Sequence, residues 1–508
     1  MPDADAQDPI TRQQLGDLTD LLEALARNRS PLDALTEDER TRLTAAAGGL
    51  YHPDPAERRR RVKLARRKER SERTQRHQAL LAETGIRALR AKPVFTTPNV
   101  FPPTGPEENE TVDDSEFREF IDQQHCYICK IKYRVAHEFY DQLCPSCAEF
   151  NYAKRSETAD LSGRVALLTG GRVKIGYQAG IKLLRAGATL IVTTRFPRDA
   201  AIRYAQEADF AEWGDRLQVY GLDLRHTPSV ESFCHYVSGQ TDRLDFIVNN
   251  ACQTVRRPPG FYQHMMELET AAAAGLASHV RALVSGYEGM RGYDMLPATA
   301  TSILAPGPLR SAELSQLALL PGDDWPQRHL FPEGALDQDL QQVDLRDRNS
   351  WRLGLADVSS VELLETQLVN AVAPFVLNAR LKPLMLRTPA RDKHIVNVSA
   401  VEGQFYRRQK TTRHPHTNMA KAALNMMTRT SAADYFADGI HMNSVDTGWV
   451  SDEDTIHIAQ RKTAEQNFHP PLDIVDGAAR IVDPILAGIK TGVHVWGQFL
   501  KDYRPTDW

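Results

Sequence analysis

From Leu161 onward the chain repeats one pattern, a short β-branched run followed by a helical or turn-rich segment. The runs are "RVALLTG", "ATLIVTTR", "LQVYGLDL", "LDFIVNNA", "KHIVNVSA" and "IHMNSVDTG". Strands joined through helical crossovers lie parallel, so this half of the chain predicts an α/β fold built on a doubly wound parallel sheet. Such sheets bind ligands at the carboxyl ends of their strands, where the loops emerge.

At 508 residues the chain exceeds what one compact core supports, so several domains are expected. A net charge of -4 argues against attraction of the whole molecule to nucleic acid or an anionic membrane, and any such attraction has to be local. The longest apolar runs, such as "VALL" and "TLIV", fall far short of a bilayer's thickness, and the N-terminal "MPDADAQDPITRQQ" has no apolar core. No membrane association and a cytoplasmic location are therefore expected.

Residues 1–92 read as a helical region. Leu15, Leu18, Leu21, Leu22 and Leu25 recur at helical spacing, and Thr36 with Glu39 forms a capping-box pattern. Within it, Glu57 to Arg76 carries eleven basic and three acidic side chains and almost nothing apolar. This stretch reads as a solvated helical arm or as a phosphate-binding arm for nucleic acid or an acidic protein, and no aromatic residues interleave to stack bases. Residues 93–115, rich in proline and acid, read as an extended linker.

Residues 116–157 predict a small zinc module. Cys126 and Cys129, then Cys144 and Cys147 after fourteen intervening residues, present two CxxC knuckles. The short spacing within each pair lets both sulfurs reach one tetrahedral ion, and four protein ligands make a closed, structural site. So short a segment has little core of its own, so metal binding is expected to supply much of its folding energy.

The large region, residues 158–508, carries Thr169, Gly170 and Gly176 in a glycine-rich turn, Asp223-Leu224, "NNAC", "VNAVAPF", "VNVSA" and "NSVDTGWV", and with these it resembles the short-chain dehydrogenase/reductase family over about residues 160–252 and 357–500. Thr169, Gly170 and Gly176 fit its TGxxxGxG cofactor loop, with Ile175 before the last glycine and Lys174 in place of the middle one. Asp223 and Leu224 resemble the family's adenine-contacting pair, and Asn250 and Ala251 lie in "NNAC", close to its NNAG. "VNAVAPF" places Asn370 at the family's helix asparagine, "VNVSA" places Ser399 at its active-site serine, and "NSVDTGWV" resembles NxVxPG, with Thr447 for proline before Gly448. The resemblance implies a Rossmann-like domain, a pyridine dinucleotide and carbonyl/alcohol redox chemistry on a small-molecule substrate. Where an NAD enzyme carries a carboxylate after the second strand, this chain has Thr194 and Arg195, which favours the 2′-phosphate of NADP, with Arg172 as a second candidate cation and NAD left open.

One catalytic element departs from that pattern. Lys421 aligns with the family's lysine, yet Thr417 stands one helical turn earlier, where the family has its proton-donating tyrosine. An aliphatic hydroxyl is far less acidic than a phenol, so Thr417 suits orienting a substrate or water better than donating a proton. Three readings stay open: Tyr406 as a displaced donor, His414 or His416 as acid/base, or a nucleotide site without hydride chemistry. The last makes the chain a scaffold or sensor that recruits a partner through its zinc module and basic arm. A second departure is an insertion at 253–357, which leaves a strand's carboxyl end and is expected to shape a pocket there. Arg256, Arg257, Phe261 and Tyr262 sit where such a lid begins, with the arginines facing either an anionic ligand or acids of the insert. The helix containing "TNMAKAALNMMTRTSAADYF" is a candidate surface for homo-oligomers.

Overall fold

A computed structural model describes residues 11–51, 55–98, 119–293, 310–323, 325, 327–406, 410–466 and 469–508. It forms two compact units, Met1–Ala79 and Leu80–Trp508.

Ten strands are described. A small hairpin pairs β1 (Glu119–His125) with β2 (Lys132–Val135). The main sheet holds β3 (Val165–Thr169), β4 (Thr189–Thr194), β5 (Leu217–Gly221), β6 (Phe246–Asn249), β7 (Lys393–Ser399), β8 (Ile440–Asp446), β9 (Phe499–Lys501) and β10 (Arg504–Thr506). Its order is β10-β9-β8-β7-β6-β3-β4-β5, parallel throughout except for the antiparallel pairing of β9 with β10. The six strands expected from the sequence are all present. The last two are three-residue runs, too short to carry a readable period.

The chain builds outward through β4 and β5, then returns to place β6 on the other side of β3. That reversal leaves a crevice above the carboxyl ends of β3 and β6, where doubly wound sheets take their ligands. Every residue of β7 and β8 is buried, since helices cover both faces. On one face β3, β4 and β6 pack Leu168, Val192 and Val248 against the helices Lys174–Arg185 and Ile474–Thr491. On the other, Leu167 and Ile247 meet the helices Thr227–Gln240 and Ala373–Met385. A buried amide network crosses this interior, with Asn249 donating to Asn378 (2.9 Å) and Asn397 (2.8 Å), and Asn397 donating to Thr428 (2.9 Å). These bonds tie β6 and β7 to each other and to their helices.

The cysteine-rich segment is not free-standing. Its hairpin and the helix Pro145–Ser156 share a core in which Phe120, Tyr140 and Leu143 meet Ile86, Leu472 and Val475. Arg155, nearly buried, pairs with Asp473 at 2.7 Å and Asp476 at 3.0 Å at the start of the helix Ile474–Thr491. The module is thus bolted to the C-terminal helix of the sheet domain by apolar contact and buried charge. Of the expected linker, residues 93–98 lie along that domain, where the Phe95 amide donates to the Gln338 carbonyl at 2.8 Å and Arg185 to that of Pro98 at 3.1 Å. The remainder, 99–115, lies outside the described residues.

In the N-terminal unit, the helices Arg12–Arg27 and Glu37–Tyr51 precede the 28-residue helix Pro55–Ala82. The capping box is present: the Thr36 amide donates to Glu39 at 2.9 Å, and the Glu39 amide to Thr36 Oγ1 at 3.4 Å. The basic arm lies in the long helix, and its described side chains are all exposed.

Candidate active site

The crevice at the strand switch opens into a cleft of about 1320 Å³. That exceeds the roughly 300–1,000 Å³ of a site for a single drug-sized ligand.

The glycine-rich turn after β3 forms its floor. Gly170 has φ +69°, and a Cβ there would sit 2.8 Å from Ala251 Cα. Gly176 is stricter, since a Cβ would lie 2.3 Å from both Asn250 Nδ2 and the Gly170 carbonyl oxygen. These glycines therefore let the turn pack against the end of β6. Asn250 reinforces it, donating to the carbonyls of Thr169 (3.0 Å) and Gly170 (3.1 Å). Thr169 does not line the cleft. Its Oγ1 accepts from the Ala251 amide at 3.0 Å, so its role in the turn is to position.

Lys174, in the middle-glycine position, keeps a left-handed backbone, φ +55°. Such a conformation costs a side-chain-bearing residue on the order of 1 kcal/mol. Its side chain lines the cleft with Ile175 and Gly176. Burial pulls the Lys174 pKa down, but Glu453, Asp339 and Asp337 outweigh it and raise the value, so the ammonium is held charged.

At the end of β4, Thr194 and Arg195 both face the cleft. Arg195 donates to Tyr262 Oη at 2.6 Å and lies over that ring at 4.4 Å. Arg172 lines the cleft as well. It is buried, donates to Asp199 at 2.8 Å and to Gln341 at 3.3 Å, and so is neutralised by the protein itself. Asp223 and Leu224 line the same wall, where the Asp223 carboxylate accepts from the Arg225 amide (3.0 Å), Nε (3.0 Å) and Nη2 (2.6 Å).

Ser399 ends β7, and its buried Oγ has no hydrogen-bond partner. Lys421, on the helix Pro415–Ala437, is 4% exposed and donates to the Val398 carbonyl at 2.8 Å. Both line the cleft. Asn370 sits in a π-helical turn, Leu368–Val372, a form found most often at functional positions. Its amide accepts from the Gln253 backbone at 2.7 Å and donates to it at 3.1 Å, which pins the first residue of the insertion.

Neither Tyr406, the candidate displaced donor, nor Thr417, the candidate for orienting a substrate or water, lines the cleft. Tyr406 is 88% exposed and lines no part of the cleft. Thr417 is buried, leaves its Oγ1 unpartnered and also stops short of the cleft wall, because a threonine side chain is too short to reach where a phenol would. His416 is buried beside Glu362 at 3.6 Å and faces away from the cleft. His414 does line it, stacked on Trp351 with ring centroids 4.0 Å apart. Burial lowers the His414 pKa, so the ring is neutral at neutral pH.

The insertion supplies a wall of the cleft, including Thr254, Arg257, Phe261, Tyr262 and Trp351. Its arginines are tied to acids: Arg256 to Asp323 at 2.6 Å and Glu365 at 3.3 Å, and Arg257 to Asp344. Opposite, Thr447 and Gly448 line the cleft, and Gly448 has φ +76°. Asp446 shapes this end, accepting from the Val401 amide at 2.7 Å and the Gly448 amide at 2.8 Å. Nothing in its sequence context singles Asp446 out. Tyr127, Lys130 and Gln142 of the cysteine module also line the cleft, and Tyr127 Oη accepts from the Trp449 amide at 3.0 Å. Only tertiary packing brings them there.

Residues 164–286 match the family model described as short chain dehydrogenase, and residues 349–472 the one described as enoyl-(acyl carrier protein) reductase. The chain belongs to the short-chain dehydrogenase/reductase family. The unmatched gap between the two family segments falls inside the insertion. The uncharacterized protein R665 of Acanthamoeba polyphaga mimivirus is 30% identical over 389 residues, covering 74% of each chain. The (+)-neomenthol dehydrogenase of Capsicum annuum is 29% identical over 93 residues, 18% of this chain and 29% of that one. A Burkholderia cenocepacia short chain dehydrogenase solved in complex with NADP is 16% identical, with 67% of this chain and 96% of that one covered and a TM-score of 0.41.

This short-chain dehydrogenase/reductase offers a dinucleotide two features that fit: an unpartnered buried Ser399 hydroxyl at the cleft, and a Lys421 ammonium with donors to spare beyond Val398. The four cysteines likewise fit one ion. Their sulfurs all lie within 4.8 Å of one another, and Cys129 Sγ is 3.6 Å from Cys144 Sγ. Four thiolates around zinc at about 2.3 Å stand roughly 3.8 Å apart.

Proposed function

We propose that the chain is an NADP-dependent oxidoreductase interconverting a small alcohol and its carbonyl, with a proton path rebuilt around the missing tyrosine. The observation that supports this most is that Ser399 and Lys421 line one cleft at the switch point, and Arg195 lines the same cleft. The bound nicotinamide would accept or deliver the hydride. Ser399 would hold the substrate oxygen by its free hydroxyl, and Lys421 would grip the nicotinamide ribose and stabilise negative charge developing on that oxygen. Neutral His414, the one displaced-donor candidate on the cleft wall, would take the alcohol proton. It stands two helical turns from Lys421, about 10 Å along the axis, so the proton would travel through ordered water. Cys126, Cys129, Cys144 and Cys147 would hold a structural zinc ion. The direct test is to offer NADPH with a panel of aldehydes and ketones, and NADP with alcohols. Tight cofactor binding without turnover across the panel would favour the scaffold reading instead.

Proton transfer by a placed side chain contributes roughly 10²–10⁴-fold. His414→Gln should therefore lower kcat of alcohol oxidation by about 100-fold, whereas Tyr406→Phe and Thr417→Ala should remain within about threefold of wild type. A neutral His414 accepts the proton, so oxidation should fall away as pH drops through its pKa, which burial places below the ordinary histidine value. That acidic limb should vanish in His414→Gln. An unchanged limb in that variant would assign the proton to another group.

Cofactor choice rests on Arg195. A charge-assisted hydrogen bond contributes about 1.5–3 kcal/mol, so Arg195→Asp should weaken NADPH binding by about 30-fold and leave NADH within a few-fold. Fluorescence titration with both nucleotides checks this, and an unchanged NADPH:NADH ratio would remove Arg195 from the 2′-phosphate site.

A further inference from the structure

At the end of the sheet away from the cleft, three imidazoles meet. β7 and β8 run parallel with His394 directly opposite His441, so both side chains leave the same face at neighbouring positions. His494 joins them from the connection between the helix Ile474–Thr491 and β9. One nitrogen from each ring lies within 4.8 Å of the other two, and His394 Nε2 is 2.9 Å from His494 Nδ1. His394 and Ser399 stand at opposite ends of β7, roughly 16 Å apart at about 3.3 Å per residue, so this cluster is separate from the cleft.

Two observations point to a ligand rather than to packing alone. His441 Nδ1 sits 3.1 Å from the Lys393 carbonyl, which fixes its proton on that nitrogen and leaves the Nε2 lone pair free. Metal-ligating histidines are commonly held this way by a backbone carbonyl. The covering helix presents Gly488, where a Cβ would fall 2.6 Å from His494 Nδ1 and 2.9 Å from His394 Nε2. The space in front of the nitrogens is thus kept clear of side chains. His394 itself is fully buried, with Nε2 turned toward His494 and the space that Gly488 leaves.

We propose that His394, His441 and His494 bind a divalent transition ion of the zinc type, clasping the connection before β9 to the amino-terminal edge of β7 and β8. Imidazole ligands suit zinc, cobalt, nickel and copper. Around a tetrahedral ion with bonds of about 2.05 Å, nitrogens stand roughly 3.3 Å apart, close to the spacing already present between His394 and His494. A shallow hollow lined by His494, Trp496 and Pro505 adjoins the cluster on the side of His494.

The test uses the full-length chain without an affinity tag, loaded with zinc and dialysed, with His494→Ala and His441→Gln compared. The wild type should hold one more zinc per chain than either variant, because the cysteine site is untouched in all three. Cobalt at the same site should give a tetrahedral d–d spectrum in excess of the variants' and add no thiolate charge-transfer intensity. Zinc should also raise the wild-type Tm further than that of His494→Ala. His494 lies in a partly exposed connection, so His494→Ala should fold even if His441→Gln does not. Equal zinc content in wild type and His494→Ala would overturn the site and leave three stacked neutral rings.

Discussion

Lys421→Met should lower kcat/KM for the panel substrates about 1000-fold or more, while circular dichroism and Tm stay close to wild type. Methionine keeps the aliphatic volume of a side chain that is 4% exposed, so the helix Pro415–Ala437 keeps its packing. What disappears is the ammonium. It makes one hydrogen bond to the protein, to the Val398 carbonyl one residue before Ser399, and its remaining donors are free for a ribose and a developing oxyanion. Losing both interactions in a site shielded from water should cost about 4 kcal/mol of transition-state stabilisation, or three decades of rate. NADPH affinity should weaken by about tenfold in the same variant, since the ribose is one of several anchors. Wild-type turnover in Lys421→Met would sink the assignment of this cleft as the reaction centre.

The second large effect concerns a part of the chain remote in sequence. Cys144→Ser should lose one zinc per chain, lower Tm on the order of 10 °C and weaken NADPH binding at least tenfold. The module has a short hairpin and one helix of its own, so metal and the shared core with Leu472 and Val475 hold it together. Tyr127, Lys130 and Gln142 line the cleft from this module, and the Tyr127 hydroxyl accepts from the Trp449 amide just beyond Gly448. Releasing the module frees that wall and the turn behind it. Zinc content by elemental analysis, thermal melts and nucleotide titration together check the prediction. A variant that has lost the module's zinc yet binds NADPH as tightly as before would show that the module stands beside the cofactor site without shaping it.

Much of the site was readable because its parts are local. A glycine turn after a β-branched run, a serine ending another and a lysine four residues after a threonine are short patterns. Each names a strand end, and strand ends of a doubly wound sheet share one edge. The family assignment followed from those patterns and is supported by the family models. Short patterns do not show which side chains the protein itself engages. Arg172 looked available for a phosphate, but Asp199 lies on the helix Pro197–Ala205 and claims it. Tyr406 looked able to fold back, but its loop turns it to solvent. Thr417 occupies the expected position on its helix, yet the reach of its side chain decides that it stays beneath the wall.

The sequence by itself determined the parallel sheet, its switch-point edge, the four-cysteine module and the absence of the usual tyrosine. These are properties of spacing and residue type within a few positions. Tertiary structure alone decided that the cysteine module walls the cleft, that His414 and not Tyr406 stands there, and that His394, His441 and His494 converge. Such meetings join residues up to about 320 positions apart, as Tyr127 and Trp449 are. Long-range contacts depend on which surfaces bury best against one another, and no short period in the chain encodes that choice.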